Sequence, residues 1–522
     1  MASAAAGLRS FANEPLTDFR NPDNAQAMRA AIAQARADLG REYDLVIGGR
    51  RIRTSEKIQS FNPAHPSEIV GLHQKAGREQ VEPAMQAALQ AFESWKRASA
   101  ERRAETIFRL AAILRRRKLE FNAWIVLEAG KNWDEAEADT CEAIDFCELY
   151  ARAALHLTEA EPLVQLPGER DSLQYIPLGA GVVIAPWNFP LAILCGMTVA
   201  SIVSGNTVIV KPSSDSPTVA AKFFEALEEV GLPAGVANFC PGSGAAFGRA
   251  IVDHPKTRFI AFTGSREIGL EIHLRAAHTQ PGQIWIKRTI LEMGGKDAII
   301  VAGDSNLDAA VEGVAVSAFG FQGQKCSACS RAIVDETVYG PFVEKLKERV
   351  SRIQLGDPAE NLPMGPVINE RAMRSILQYI GVGQREGRLV CGGKRAAGEG
   401  YFIEPTLFAD VAPGARLAQE EIFGPVLAVI PARDFDYALQ IANNTEYGLT
   451  GAVYTRSLEN IDRAKQDFHV GNLYINRKCT GAVVGAHPFG GFNMSGTDSK
   501  AGGPDYLCLF TQAKSIGERI HG

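Results

Sequence analysis

From residue 181 onward the chain repeats one pattern: a short apolar run rich in β-branched residues, then a helical stretch, then another run. GVVIAP, NTVIV, VANFC, RFIAFTG and DAIIVAG have the length and continuity of strands buried on both faces. The intervening segment SPTVAAKFFEALEEVGLP carries its own punctuation, with Ser216 as a candidate cap, Pro217 in the first turn, and Gly231 and Pro233 as stops. Parallel strands need crossover helices, so the alternation predicts a doubly wound α/β sheet. A second alternating series runs from about 295 to 475 and includes AIVDETVYG followed by PFVEKLKERVSRI. Ahead of both lie a helical opening, NAQAMRAAIAQARADLG, and then turns and amphipathic helices through the first hundred residues. No internal repeat or low-complexity linker intervenes. The expectation is two parallel-sheet domains, in keeping with 522 residues, more than one ordinary core accommodates.

Charge and composition exclude several function classes. A net charge of −5 without a basic stripe leaves no electrostatic footprint for nucleic acid. The apolar runs break off well before the roughly 20 residues that a membrane span needs. The opening MASAAAGLRSFANEP has no charged start followed by a sustained apolar core, so no secretory signal is expected. Its lone arginine among alanines is weakly transit-like, which in a eukaryote would suit the mitochondrial matrix; otherwise a cytoplasmic protein is expected. The nine cysteines are scattered and mostly in apolar surroundings, which suits reduced thiols better than a disulfide framework.

A dinucleotide site would show G-x-G-x-x-G after the first strand, and no clean copy exists. The nearest are PGSGAAFG (Gly242, Gly244, Gly248) after VANFC and FTGSREIG (Gly264, Gly269) after RFIAF. Free N–H groups at such turns can take a pyrophosphate, yet any α/β protein needs turns of this kind. Lys211 ends the strand NTVIVK, a place for ligand contacts in open sheets and equally for a solvated lysine. Asn188, boxed in APWNFP, is a candidate oxyanion donor or a turn asparagine. Glu292, in LEMGGK, is a candidate general base where desolvated, or a carboxylate facing water.

Cys326 and Cys329 form a C-x-x-C in GFQGQKCSACS. Structural zinc calls for four ligands in paired clusters, and the chain has no second C-x-x-C and no H-x3-H, so no metal is expected. A thioredoxin-type pair belongs on the first βα turn of a small domain, whereas this one follows the helical stretch LDAAVEGVAVSAFGF deep in the chain. A single nucleophilic cysteine is the better reading.

Taken in order, APWNFP, VKPSSDSP, FTGSREIG, LEMGGK, GQKCSACSR, EEIFGPV and HPFGG resemble the signature series of the aldehyde dehydrogenase superfamily. The resemblance spans roughly residues 40 to 510, and the 34-residue step from Glu292 to Cys326 matches it. It implies doubly wound parallel sheets in two domains plus a small oligomerisation β-extension. The implied divisions are an N-terminal extension 1–37, an NAD-binding domain 38–154 and 177–293, oligomerisation segments 155–176 and 488–522, and a catalytic domain 294–487. It also implies a homo-oligomer, dimer or higher, acting on a small-molecule substrate. Cys326 maps to the nucleophile, with Glu292 and Asn188 beside it, and Cys329 to a position normally held by a small residue. For the cofactor, Trp187, Lys211, Ser214, Gly242, Gly264, Ser265, Glu421 and Phe423 are implied. Many NAD-using members carry glutamate where this chain has Ser214, so the resemblance implies NAD with weaker use of NADP.

Within the superfamily, QKCSACSR and the tail KCTGAVVGAHPFGGFNMSGTDSKAGGPDYL are similar to the branch acting on L-glutamate γ-semialdehyde. That similarity implies a stand-alone enzyme in which Ser327 and the N–H groups of Gly481 and Ala482 grip the substrate carboxylate. Phe189 and Phe489 would sandwich the substrate's stem. Adjacent free amides in a glycine-containing loop do form carboxylate nests. The rival readings are a dehydrogenase for succinate or succinylglutamate semialdehyde and, more distantly, a non-catalytic member of the fold. If Cys326 is the one nucleophile, Cys326→Ala abolishes aldehyde oxidation while Cys329→Ser keeps most of it. Steady-state NADH formation by the two variants checks this, and the reverse outcome would move the nucleophile.

Overall fold

The apolar runs pair side by side in the computed structural model, which describes residues 9–158 and 163–520. The first eight residues of the N-terminal extension, residues 159–162 of the segment 155–176 and the last two of 488–522 lie outside the described residues. The first sheet has seven strands in the order Arg288–Glu292, Phe259–Thr263, Ala180–Ile184, Thr207–Lys211, Ala237–Phe239, Leu45–Ile47 and Arg50–Ile52. The first five run parallel. The last two are antiparallel and come from the first hundred residues. Those residues hold strands as well as the expected helices, because three-residue runs such as LVI are too short to show a period in sequence. A separate three-stranded sheet is built there from Arg41–Tyr43, Ile69–Gln74 and Lys57–Phe61.

The second sheet also has seven strands: Arg388–Cys391, Thr406–Ala409, Val426–Ala432, Cys329–Asp335, Asp297–Val301, Thr450–Tyr454 and Asn472–Ile475. Only the first of these is antiparallel to its neighbour. DAIIV therefore opens this second sheet and is not a strand of the first. The antiparallel ribbon of Glu169–Pro177 and Thr511–Arg519 stands apart from both sheets, paired over nine residues. Among the described residues no helix is long and apolar enough to cross a membrane.

In the first sheet the chain moves one way from Ala180–Ile184 through Ala237–Phe239, then crosses back to place Phe259–Thr263 on the other side. Helices leaving neighbouring strands in opposite directions open a crevice beyond the strands' carboxyl ends, where doubly wound proteins bind ligands.

The helix Pro217–Glu229 corrects one expectation. Ser216 precedes it, but its hydroxyl is buried and makes no hydrogen bond among the described residues. The carboxylate of Glu128, wholly buried on the helix Lys118–Ala129, instead accepts the N–H groups of Thr218 and Val219, each at 2.8 Å, and the Ser60 hydroxyl at 2.6 Å. A carboxylate at a helix start is favoured by the helix dipole, while burial pushes Glu128 up to about 7. Glu128→Ala should therefore destabilise the fold by about 2–4 kcal/mol through stranded buried donors, and Ser216→Ala should lie within about 0.5 kcal/mol of the parent. Thermal unfolding of both variants at pH 8 measures the contrast; equal losses would return the capping role to Ser216.

Candidate active site

The crevice is a cleft of about 970 Å3 that runs from Lys211 and the helix start at Ser265 to Cys326. Trp187, Ser214, Gly264, Glu421 and Phe423 line it, together with Asn188. Burial pulls the Lys211 ammonium down to about 8, and Nζ donates to the Pro212 carbonyl at 3.2 Å. Ser265 occupies the N-cap of the helix Arg266–Ala277 but makes no side-chain cap bond, so the helix start faces the cleft with hydrogen-bonding capacity to spare. Trp187 and Phe423 meet edge to face with centroids 5.5 Å apart. The Glu421 carboxylate accepts the Gly295 N–H at 3.0 Å, and burial lifts it to about 7. Length, a cation, an anion-ready helix start and a carboxylate near the inner end together fit a dinucleotide. Gly242 lies outside this lining: a side chain there would collide with the Ala76 carbonyl, so its glycine serves close backbone packing, and Gly244 and Gly248 face the cleft.

Cys326 sits at the inner end, after a turn in which Phe321, Gln322 and Gly323 all hold positive φ, at 49°, 57° and 67°. Side chains in this region are strained, and the surroundings hold the turn in place. The Gln322 amide donates to the carbonyls of Gly130 and Pro366, at 3.1 and 2.8 Å. Gln324 accepts the Ile368 N–H. Only glycine fits at position 323, where a Cβ would lie 2.4 Å from the Gly424 carbonyl oxygen. The Asn188 amide donates one N–H to the Gln324 carbonyl at 3.2 Å; an amide has two, so one remains for a ligand. Burial, with the carboxyls of Asp297, Glu292 and Glu421 around it, keeps the Cys326 thiol far above its ordinary range. Cys329, three residues on, is fully buried on the strand Cys329–Asp335 beside Cys479.

Glu292 ends the strand Arg288–Glu292, as the sequence suggests, and its surroundings are more enclosed than a strand end implies. One oxygen accepts the Ser499 hydroxyl at 2.5 Å, and the other is buried with no hydrogen-bond partner among the described residues. Burial pushes the carboxyl up to about 8, against the Ser499 bond and the Lys500 charge, which lower it.

Ser327, Gly481, Ala482, Phe189 and Phe489 are not part of the cleft lining. Ser327 follows Cys326, and its carbonyl accepts the Cys479 thiol and the Thr450 hydroxyl, which draws the segment carrying Gly481 toward it. Among the described residues the Ser327 hydroxyl and the N–H groups of Cys326, Gly481 and Ala482 meet no protein acceptor. Phe189 lies under the buried Lys131 ammonium, 3.7 Å from its ring centroid, and Lys131 pairs with Asp139 at 2.9 Å. Phe489 exchanges backbone bonds with Ala501, next to Gly490, whose added Cβ would lie 2.9 Å from Glu292.

Several participants carry no signal in the sequence. Ser499 acts on a carboxylate 207 positions away. Arg331 is fully buried and donates to the carbonyls of Lys296, Ile441 and Ala442, bracing the backbone behind Cys326. Lys131, in the short linker between the helices Lys118–Ala129 and Trp133–His156, and Asp139, on the second of them, sit in an ordinary-looking stretch of sequence.

The model of the aldehyde dehydrogenase family matches residues 51–516. The 1-pyrroline-5-carboxylate dehydrogenases of Geobacillus kaustophilus and Geobacillus thermodenitrificans are 58% and 57% identical over 512 residues, covering 98% of this chain and 99% of each relative. The crystal structure of 1-pyrroline-5-carboxylate dehydrogenase from Thermus with bound NAD superposes with a TM-score of 0.97 at 52% identity, over 98% of this chain and 100% of that one. With the cleft, the enclosed carboxylate and the cysteine turn in place, these likenesses settle the kinship: the chain belongs to the aldehyde dehydrogenase family.

Proposed function

We propose that this protein is an NAD-dependent dehydrogenase that oxidises L-glutamate γ-semialdehyde, the ring-opened form of 1-pyrroline-5-carboxylate, to L-glutamate, the second step of proline catabolism. The observation that carries the reading is the set of donors beyond Cys326 that meet no protein acceptor among the described residues: the Ser327 hydroxyl and two N–H groups on the Gly481–Ala482 loop. An aldehyde with a carboxylate at its far end is what such donors complement. The strong likeness to the Geobacillus and Thermus enzymes supports the same substrate.

Cys326 Sγ attacks the aldehyde carbon, its S–H proton passing to water in the cleft as the thiohemiacetal forms. The developing oxyanion is met by the free N–H of Asn188 and by the Cys326 backbone N–H. NAD, held by Lys211, Ser265, Trp187, Glu421 and Phe423, supplies the hydride acceptor, which leaves a thioester on Cys326. Glu292 then takes a proton from water, whose oxygen attacks the thioester carbon and releases glutamate and the thiol. A base at about 8 stays protonated much of the time at neutral pH and is strong enough to activate water when it is not. Ser214 presents no carboxylate to the outer cleft, which leaves room for weaker use of NADP. The ribbon of Glu169–Pro177 and Thr511–Arg519 offers the surface for a homo-oligomer in the cytoplasm.

NADH formation from pyrroline-5-carboxylate, compared with succinate semialdehyde and uncharged aldehydes, tests the assignment. Ser327→Ala removes a hydrogen bond to a charged group, worth about 1.5–3 kcal/mol, or roughly ten- to a hundredfold in kcat/KM. The loss is expected with glutamate semialdehyde and should nearly vanish with propanal. Equal losses would remove the carboxylate anchor from the proposal. The pH profile offers a second check. The Ser499 hydrogen bond stabilises ionised Glu292, so Ser499→Ala should raise its pKa and move the acidic limb of kcat about one pH unit higher. An unmoved limb would mean that Glu292 does not set it.

A further inference from the structure

The N-terminal segment takes no part in the chemistry described so far, yet it is tied to the substrate side of the site. Residues 11–17 run along the helix Trp133–His156. Here the primary amide of Asn13 does two things at once. One N–H donates to Asp145 Oδ2 at 2.8 Å, and the other to the Val484 carbonyl at 2.9 Å. The second Asp145 oxygen accepts the Glu14 N–H at 2.6 Å, which fixes the register of the segment. Phe11 covers Gly485: a Cβ added there would lie 2.9 Å from its ring.

Val484 is two residues beyond Ala482. The stretch between Thr480 and His487 has two glycines in left-handed geometry, Gly481 at φ 72° and Gly485 at 79°. Such a loop has wide conformational freedom of its own. On its entry side the Arg477 guanidinium donates to the carbonyls of Thr480 and Gly481. On its exit side the Gly485 N–H reaches the Gly502 carbonyl, and Asn13 takes the Val484 carbonyl. Val484 itself is buried.

We propose that Asn13 is a specificity-positioning residue: the N-terminal segment acts as a strap that holds the Gly481–Ala482 amides aimed at the substrate carboxylate, with helix Trp133–His156 as its anchor. The proposal rests on the reading of that loop as the carboxylate site. Without the strap the two amides sample more orientations, and ordering them is charged to binding. Affinity for the carboxylated aldehyde should therefore fall, while Cys326, Asn188 and Glu292, which the strap does not touch, keep their turnover.

The test is steady-state kinetics of Asn13→Ala and Phe11→Ala at saturating NAD, on glutamate semialdehyde and on propanal, with Ser327→Ala in parallel. The expected result is a KM for glutamate semialdehyde raised about two- to tenfold, the scale of one neutral hydrogen bond, with kcat unchanged. The kcat/KM for propanal should stay at the parental value. If either strap variant folds and leaves KM unchanged, or loses equally on both aldehydes, the strap has no role in specificity and the proposal falls. Phe11→Ala keeps the test open should Asn13→Ala fail to fold. The parallel arm separates the two readings. A selective loss in Ser327→Ala without one in the strap variants overturns the strap alone, whereas a non-selective loss in Ser327→Ala overturns the carboxylate site and the strap with it.

Discussion

The site depends on a turn that the chain would not adopt unaided. Three consecutive residues with positive φ, two of them bulky, carry a cost of order 1–3 kcal/mol for each non-glycine residue. That cost is met by the Gln322 amide, which bridges the carbonyls of Gly130 and Pro366 from segments far apart in the chain. The same turn presents the Gln324 carbonyl that orients Asn188 and delivers Cys326 to the end of the cleft. Cys326, Asn188 and the cleft therefore share one support. Loosening Gln322 would disturb all three together.

Around this support the protein buries charge unevenly. Asp297, Glu292 and Glu421 crowd the thiol and hold its proton on. Lys296, buried without a hydrogen-bond partner among the described residues, is pulled down to about 7 by burial, with the Arg331 guanidinium also lowering it. Isolated buried charges shift toward their neutral forms. The result is a set of groups that titrate near or above neutrality in place of permanent ions. A thiol that stays protonated is protected from oxidation. A carboxyl poised near 8 is suited to moving protons during turnover.

How much of this is visible in the residues alone varies from group to group. The central strands from 180 onward declare themselves because both faces are buried and most of their positions are apolar. Leu45–Ile47 and Arg50–Ile52 do not, since two three-residue strands carry no period, and their place at the edge of the first sheet is decided by pairing. Ser216 has the right type and position for a cap, yet Glu128, from another helix, takes the donors. Gly242 matches a phosphate-turn pattern, and its contact is with Ala76.

By itself the sequence determined the α/β alternation, the order of the signature segments and the chemistry available at Cys326, Glu292 and Asn188. These are local properties: strand-length apolar runs, turn residues and side-chain types keep their meaning without neighbours. Only the tertiary structure decided how those groups behave. Burial of Glu292 against Ser499, the crowding of carboxyls about Cys326, the Arg331 brace and the Asn13 bridge to Val484 all join residues distant in sequence. Desolvation and hydrogen-bond geometry are set by which surfaces meet in space, and no short stretch of the chain carries that information.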